Sequence, residues 1–130
     1  MIVRPTIVLL SDPDTRREIE DRLRGLGTYA DGDVFDRLEV GDCWFGIDLS
    51  GDVLHDYDEN EKAELAERLG RVEPVLVEYL GIACVWSLLQ AVLDGLPGVL
   101  DTNCGELLEY GEVLARFARD PAWSWVPLGG

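Results

Sequence analysis

Apolar residues along the chain fall into two rhythms, and their order sets the expected fold. The run Ile2 to Leu10 is rich in β-branched residues and ends at Ser11-Asp12-Pro13, where a capping side chain precedes a proline suited to a first helical turn. This predicts a strand followed by a helix. From Pro13 to Leu26 the apolar positions Ile19, Leu23 and Leu26 recur at helical spacing among charged residues, and Gly25 and Gly27 are stop signals. The polar turn Asp31-Gly32-Asp33 then separates this helix from a new element. Two short runs, Val34 to Val40 and Cys43 to Leu49, flank Gly41-Asp42, whose leading glycine suits a type II′ turn, so a β-hairpin is expected. In its second arm Cys43, Phe45, Ile47 and Leu49 share one face and Trp44, Gly46 and Asp48 the other, which leaves Trp44 exposed or packed at an edge.

The second half continues in the same alternation. Asp58 and Glu61 have capping-box spacing ahead of a helix over about 59–70, with Ala63, Leu65, Ala66 and Leu69 as its buried side. Val72 to Leu80 reads as a strand, with Pro74 marking an edge or the strand's start. After Gly81, Val85, Leu88, Leu89, Val92 and Leu93 form the strongest core-helix pattern in the chain, stopped by Gly95 and Pro97. Gly98 to Leu100 and Glu106 to Glu109 are short strands around the turn Asp101-Thr102-Asn103-Cys104-Gly105, and Gly111 to Arg119 is a last helix before a tail in which one or both of Trp123 and Trp125 fold back on the core. The expected fold is a single acidic α+β domain over residues 1–130: a βαββαβ split sheet in ferredoxin-like order with a C-terminal αββα extension. The uncovered face of that sheet is left for the C-terminal unit or a partner.

Composition narrows the functional classes. The 26 acidic residues against 11 basic ones give a net charge of −15, a surface that repels phosphate backbones and anionic lipids, so neither nucleic acid nor membrane is an expected partner. The apolar N-terminal run is short, broken by Arg4 and Pro5 and without a small-residue cleavage site, so no signal peptide is expected. Cys43, Cys84 and Cys104 are odd in number and widely spaced, fitting neither a disulfide framework nor a zinc knuckle, and are expected to be reduced thiols of a cytoplasmic protein.

No complete catalytic, cofactor or metal motif emerges. His55 stands alone among aspartates with no second histidine at ligand spacing, so it reads as a surface-loop residue rather than a general base or metal ligand. Asp101, Asn103, Glu109 and Glu112 match an EF-hand count at its acidic positions, but Gly105 and Glu106 stand where a ligand and a glycine are required, so a tight turn is expected there. Gly25-Leu26-Gly27 lacks the third glycine of a dinucleotide fingerprint and follows a helix. The distinctive feature is instead charge placement: from Asp31 to Glu61 eleven acidic residues face the single base Arg37, a net −10. Such a run is either a solvated hairpin and loop or a patch that steers a basic partner.

The stretch from Val99 through Asp101-Thr102-Asn103-Cys104-Gly105-Glu106 and Glu112-Val113-Leu114-Ala115-Arg116-Phe117 to Asp120-Pro121-Ala122-Trp123-Ser124-Trp125 resembles small bacterial immunity proteins of polymorphic toxin systems. The resemblance implies a cytoplasmic antidote, not an enzyme, that neutralises a cognate toxin domain, and carries over no binding residue. Joined to the charge pattern, it gives the leading expectation: an inhibitor binding a cognate toxin or other basic protein through Asp33, Asp36, Asp42, Trp44, Asp48, Asp52, Asp56, Tyr57, Asp58 and Glu59, with Trp44 and Tyr57 as aromatic anchors. The alternative is a small-molecule-binding domain or small enzyme with a pocket between sheet and C-terminal unit, using Asp101, His55 or Glu78.

Overall fold

Ile7, Val8, Leu9 and Leu10 are all buried, which requires apolar cover on both faces of the strand they form, β1 (Thr6–Ser11). A computed structural model describes residues 4–125; Ile2 and Val3 of the expected first strand, and residues 126–130 of the expected tail, lie outside the described residues. After β1 the Asp12 side chain accepts from the Thr15 N–H at 2.9 Å and Pro13 takes the first helical position, starting α1 (Pro13–Leu26). Those bonds from Thr15 hold the Asp12 carboxyl below its ordinary value. Ile19 and Leu23 face inward, while Arg16, Glu20 and Arg24 form a ladder one turn apart on the outside.

Next come β2 (Thr28–Ala30), too short to show in the hydrophobic pattern, and the hairpin β3 (Asp36–Val40) and β4 (Cys43–Asp48). Gly41 at the turn has φ +59° and Asp42 does not share a positive φ, as a type II′ turn requires. A 3₁₀ turn (Asp52–Asp56), also unexpected, leads into α2 (Glu59–Leu69), whose Asp58–Glu61 capping box is complete. The chain closes with β5 (Glu73–Glu78), α3 (Ile82–Leu93), β6 (Val99–Asp101), β7 (Leu107–Glu109) and α4 (Tyr110–Arg119).

Among the described residues the strands form one antiparallel sheet in the order β2-β3-β4-β5-β1-β6-β7. This is an α+β domain, but the expected ferredoxin-like order is corrected: β5 inserts between β4 and β1 and runs antiparallel to both, with Ile47 and Ile7 each opposite Val77. The physical reason is the placement of the first two helices. In a split βαβ sheet they share one face; here α1 packs on Ile7 and Leu9, and α2 brings Leu65 onto Val8 and Leu10 on the opposite face. The C-terminal unit does not cover that second face either. Its strands widen the sheet beyond β1, and α4 buries Val113 and Phe117 in the same core as α1 and α3. Trp123 and Trp125 fold back as expected, their rings 4.9 and 5.8 Å from that of Phe117.

The cysteine expectation is also corrected. Cys43 lies on the inner side of the hairpin tip and Cys84 in the first turn of α3, and docking of that helix end brings their Cα atoms to 5.6 Å, where a disulfide joins them. Cys104 is free and exposed.

Candidate partner-binding surface

Strand alternation divides the hairpin into two chemistries. Phe45 and Ile47 of β4 and Leu38 of β3 point into the core, while Trp44, Gly46 and Asp48, with Arg37 and Glu39, point to the outer face. On that outer face α2 and the 3₁₀ turn cover only the other half of the sheet, where Val53, Leu54, Tyr57 and Leu65 pack on Val8, Leu10, Leu76 and Val99. Among the described residues the outer face of β2, β3 and β4 therefore carries no helix.

At its centre Trp44 is 44% exposed, with the Arg37 guanidinium 4.7 Å from its ring centroid and Glu39 directly across the strand pair. Phe35 lies against Gly46, its ring edge 3.3 Å from where a Cβ would stand, so a side chain there would push Phe35 aside. This arrangement is an apolar ring, braced by one cation, in acidic surroundings.

The acidic residues singled out from the sequence divide into two groups. Asp36 accepts from the Tyr29 hydroxyl and the Gly32 N–H, Asp48 from the Ser50 N–H, and Asp58 belongs to the capping box of α2, so these three hold local structure. The side chains of Asp33, Asp42, Asp52 and Asp56 make no hydrogen bond or ion pair among the described residues, and Glu59 meets only Lys62, at 3.7 Å and almost fully exposed. Asp36 pairs with Ile47, which sets it and Asp48 at one end of the hairpin and Asp42 at the other. Carboxylates thus stand at both ends of the Trp44 hairpin, while Asp52 and Asp56 belong to the 3₁₀ turn over the other half of the sheet.

Tyr57 is placed differently from Trp44. Half-buried under the 3₁₀ turn, it donates its hydroxyl to Asp101 at 2.6 Å, and Asp101 also accepts from the Asn103 N–H, closing the expected tight turn with Asn103 at φ +59°. Burial and the Asp101 carboxylate push the Tyr57 phenol well above its ordinary 10. Burial does the same to Tyr110, which is 1% exposed and donates to the Leu10 carbonyl at 3.0 Å. Raised phenols favour the neutral form of the folded protein. Their contribution is complete below pH 10 and is lost as pH rises above it, at about 1.4 kcal/mol per pH unit for Tyr110. Urea midpoints between pH 9 and 11.5 are expected to fall steeply from about pH 10, and Tyr57→Phe should make the fall shallower; a flat profile would contradict the assignment.

Asp101 and Glu78 lie on the strands that flank β1, but their partners differ: Glu78 pairs with Arg4 at 3.3 Å, and His55 is exposed in the 3₁₀ turn. The three are not assembled into a common acid–base set. Among the described residues no cluster of three or more His, Cys, Asp or Glu side chains could hold a metal ion, and no helix is long and apolar enough to cross a membrane.

Sequence reasoning missed Arg37 and Glu39 as neighbours of Trp44, and Phe35 as the ring against Gly46. The signal was present: once Gly41-Asp42 is the turn, residue 39 must face residue 44 and residue 37 must face residue 46. No protein-family model, no curated protein and no solved structure matches the chain.

Proposed function

We propose that the protein is a binding module of the immunity type, an inhibitor that applies the outer face of β2, β3 and β4 to a basic surface of a toxin domain. The observation that carries this reading is Trp44, a large ring 44% exposed on the half of the sheet that no helix of the described residues covers. Interfaces draw most of their energy from a few aromatic anchors, while surrounding charges set encounter rate and partner choice. The net −10 between Asp31 and Glu61 supplies such charges, and the C-terminal resemblance to immunity proteins agrees in kind. Inhibition needs no catalysis by this chain, only occlusion of the partner's site.

Affinity capture from the native host at low and high salt tests the reading. The expected result is one dominant basic protein, its capture weakened by salt and by Trp44→Ala, and toxic to cells that make it without this chain. A captured protein that is harmless, or bound equally by Trp44→Ala, would contradict it. Replacing Asp33, Asp42 and Asp52 together by lysine, residues whose side chains make no hydrogen bond or ion pair among the described residues, should lower the association rate about tenfold at low salt and much less at high salt. Stopped-flow mixing with the captured partner checks this.

An antidote of this type acts in the cytoplasm, and that location is part of the proposal; there Cys43 and Cys84 are held as thiols close enough to bond, and the disulfide forms on oxidation. A Cys43–Cys84 bond found intact in protein alkylated immediately on cell lysis would place the chain in an oxidising compartment instead, where such bonds persist.

A further inference from the structure

On the side of the hairpin away from Trp44, a pocket of about 220 Å³ opens where three elements meet. Leu26 at the end of α1 forms one wall, Val40, Cys43 and Phe45 of the hairpin a second, and Cys84 and Ser87 of α3 the third. Among the described residues no acidic or basic side chain lines it, although 28% of the residues in the chain are charged. Protein interiors pack closely enough to leave few voids larger than a water molecule. Here the Cys43–Cys84 bond ties the hairpin wall to the helix wall, which fixes their separation.

We infer that this pocket is a binding site for a small uncharged aromatic molecule of one or two rings. The volume sets the size, since an apolar cavity of about 150 Å³ accommodates benzene. The lining sets the charge: a carboxylate or ammonium group would lose its water with no partner to replace it, whereas an uncharged ring gives up no charge solvation and gains by burying its apolar faces. Ser87 is the one side chain in the wall that can hydrogen-bond a ring N–H or hydroxyl. The site is separate from the Trp44 face, because Cys43 and Phe45 point to one side of β4 and Trp44 to the other.

Indole titrated into the intact, disulfide-bonded protein, followed by methyl NMR, tests the site. Saturable one-to-one binding with a Kd on the order of 100 μM is expected, with the shifts confined to the methyl groups of Leu26, Val40 and Leu88. Ser87→Trp and Leu26→Trp, which fill the pocket from opposite walls, should each weaken binding about tenfold or more, while Trp44→Ala leaves it unchanged. Two filling variants keep the test open if one fails to fold. Shifts that never saturate or that scatter over the surface would overturn the inference, as would undiminished binding in a folded filling variant. A pocket that admits only a side chain of a protein partner would give no saturable indole binding, which overturns it too.

Discussion

Removing the Cys43–Cys84 bond, by reduction or by Cys43→Ser with Cys84→Ser, is expected to lower stability by about 4 kcal/mol. The bond closes a loop with a sequence separation of 41, and chain entropy released to the unfolded state grows with that length. The loss is a large share of the 5–15 kcal/mol that holds a typical domain together. It should act locally as well, since the bond is the covalent link between the hairpin tip and α3. Urea unfolding with and without a dithiol reductant measures the effect, with an expected fall in midpoint of about 2 M. A fall below about 0.5 M would mean that packing of Leu26, Phe45 and Leu88 alone fixes the hairpin.

Phe117→Ala is expected to cost about 3–5 kcal/mol or, in a marginal background, to prevent folding. Phe117 is 1% exposed, and its ring centre lies 5.6 Å from that of Trp86, 4.9 Å from Trp123 and 5.8 Å from Trp125. Truncation leaves a hole that three large rings cannot collapse into together, because Trp125 is also tied to Tyr79 by a 3.0 Å hydrogen bond. Thermal unfolding reads the loss, and a red shift of tryptophan emission reads the wetting of the cluster. A cost below about 1 kcal/mol would show that the tail is not part of the core. The tryptophans that contribute to the resemblance to immunity proteins are therefore packing residues at one end of the inner core, remote in role from the exposed Trp44.

The contrast between Trp44 and the tail tryptophans bears on what could be read in advance. Local rules were legible where one short segment contains all their parts: the Asp12 cap before Pro13, the Asp58–Glu61 box, the turn at Gly41, and α3 from its spacing of Val85, Leu88, Leu89 and Val92. The strand order was not legible from element order, because the same succession of elements permits α1 and α2 on one face or on two. The clue lay in Ile7-Val8-Leu9-Leu10, apolar at both parities, which already requires cover on both sides of β1. β2 has three residues and the 3₁₀ turn five, too few for either period to register.

Within the candidate surface, alternation along β4 was enough to expose Trp44. It gave no indication that Tyr57 would be held by Asp101, 44 residues further along the chain. The disulfide escaped for a similar reason: cysteine spacing says nothing about which helix end docks on which hairpin, and only that docking sets the Cα distance.

The central claim is that the Trp44 face binds a protein partner, and the dissociation rate of the captured partner from wild-type protein and from Trp44→Ala tests it most directly. An anchor residue at the centre of an interface contributes about 2 kcal/mol or more, so the variant should dissociate roughly 30-fold faster with its association rate nearly unchanged and its melting temperature preserved. Equal dissociation rates for the two proteins would remove the β2–β4 face from the interface and contradict the account.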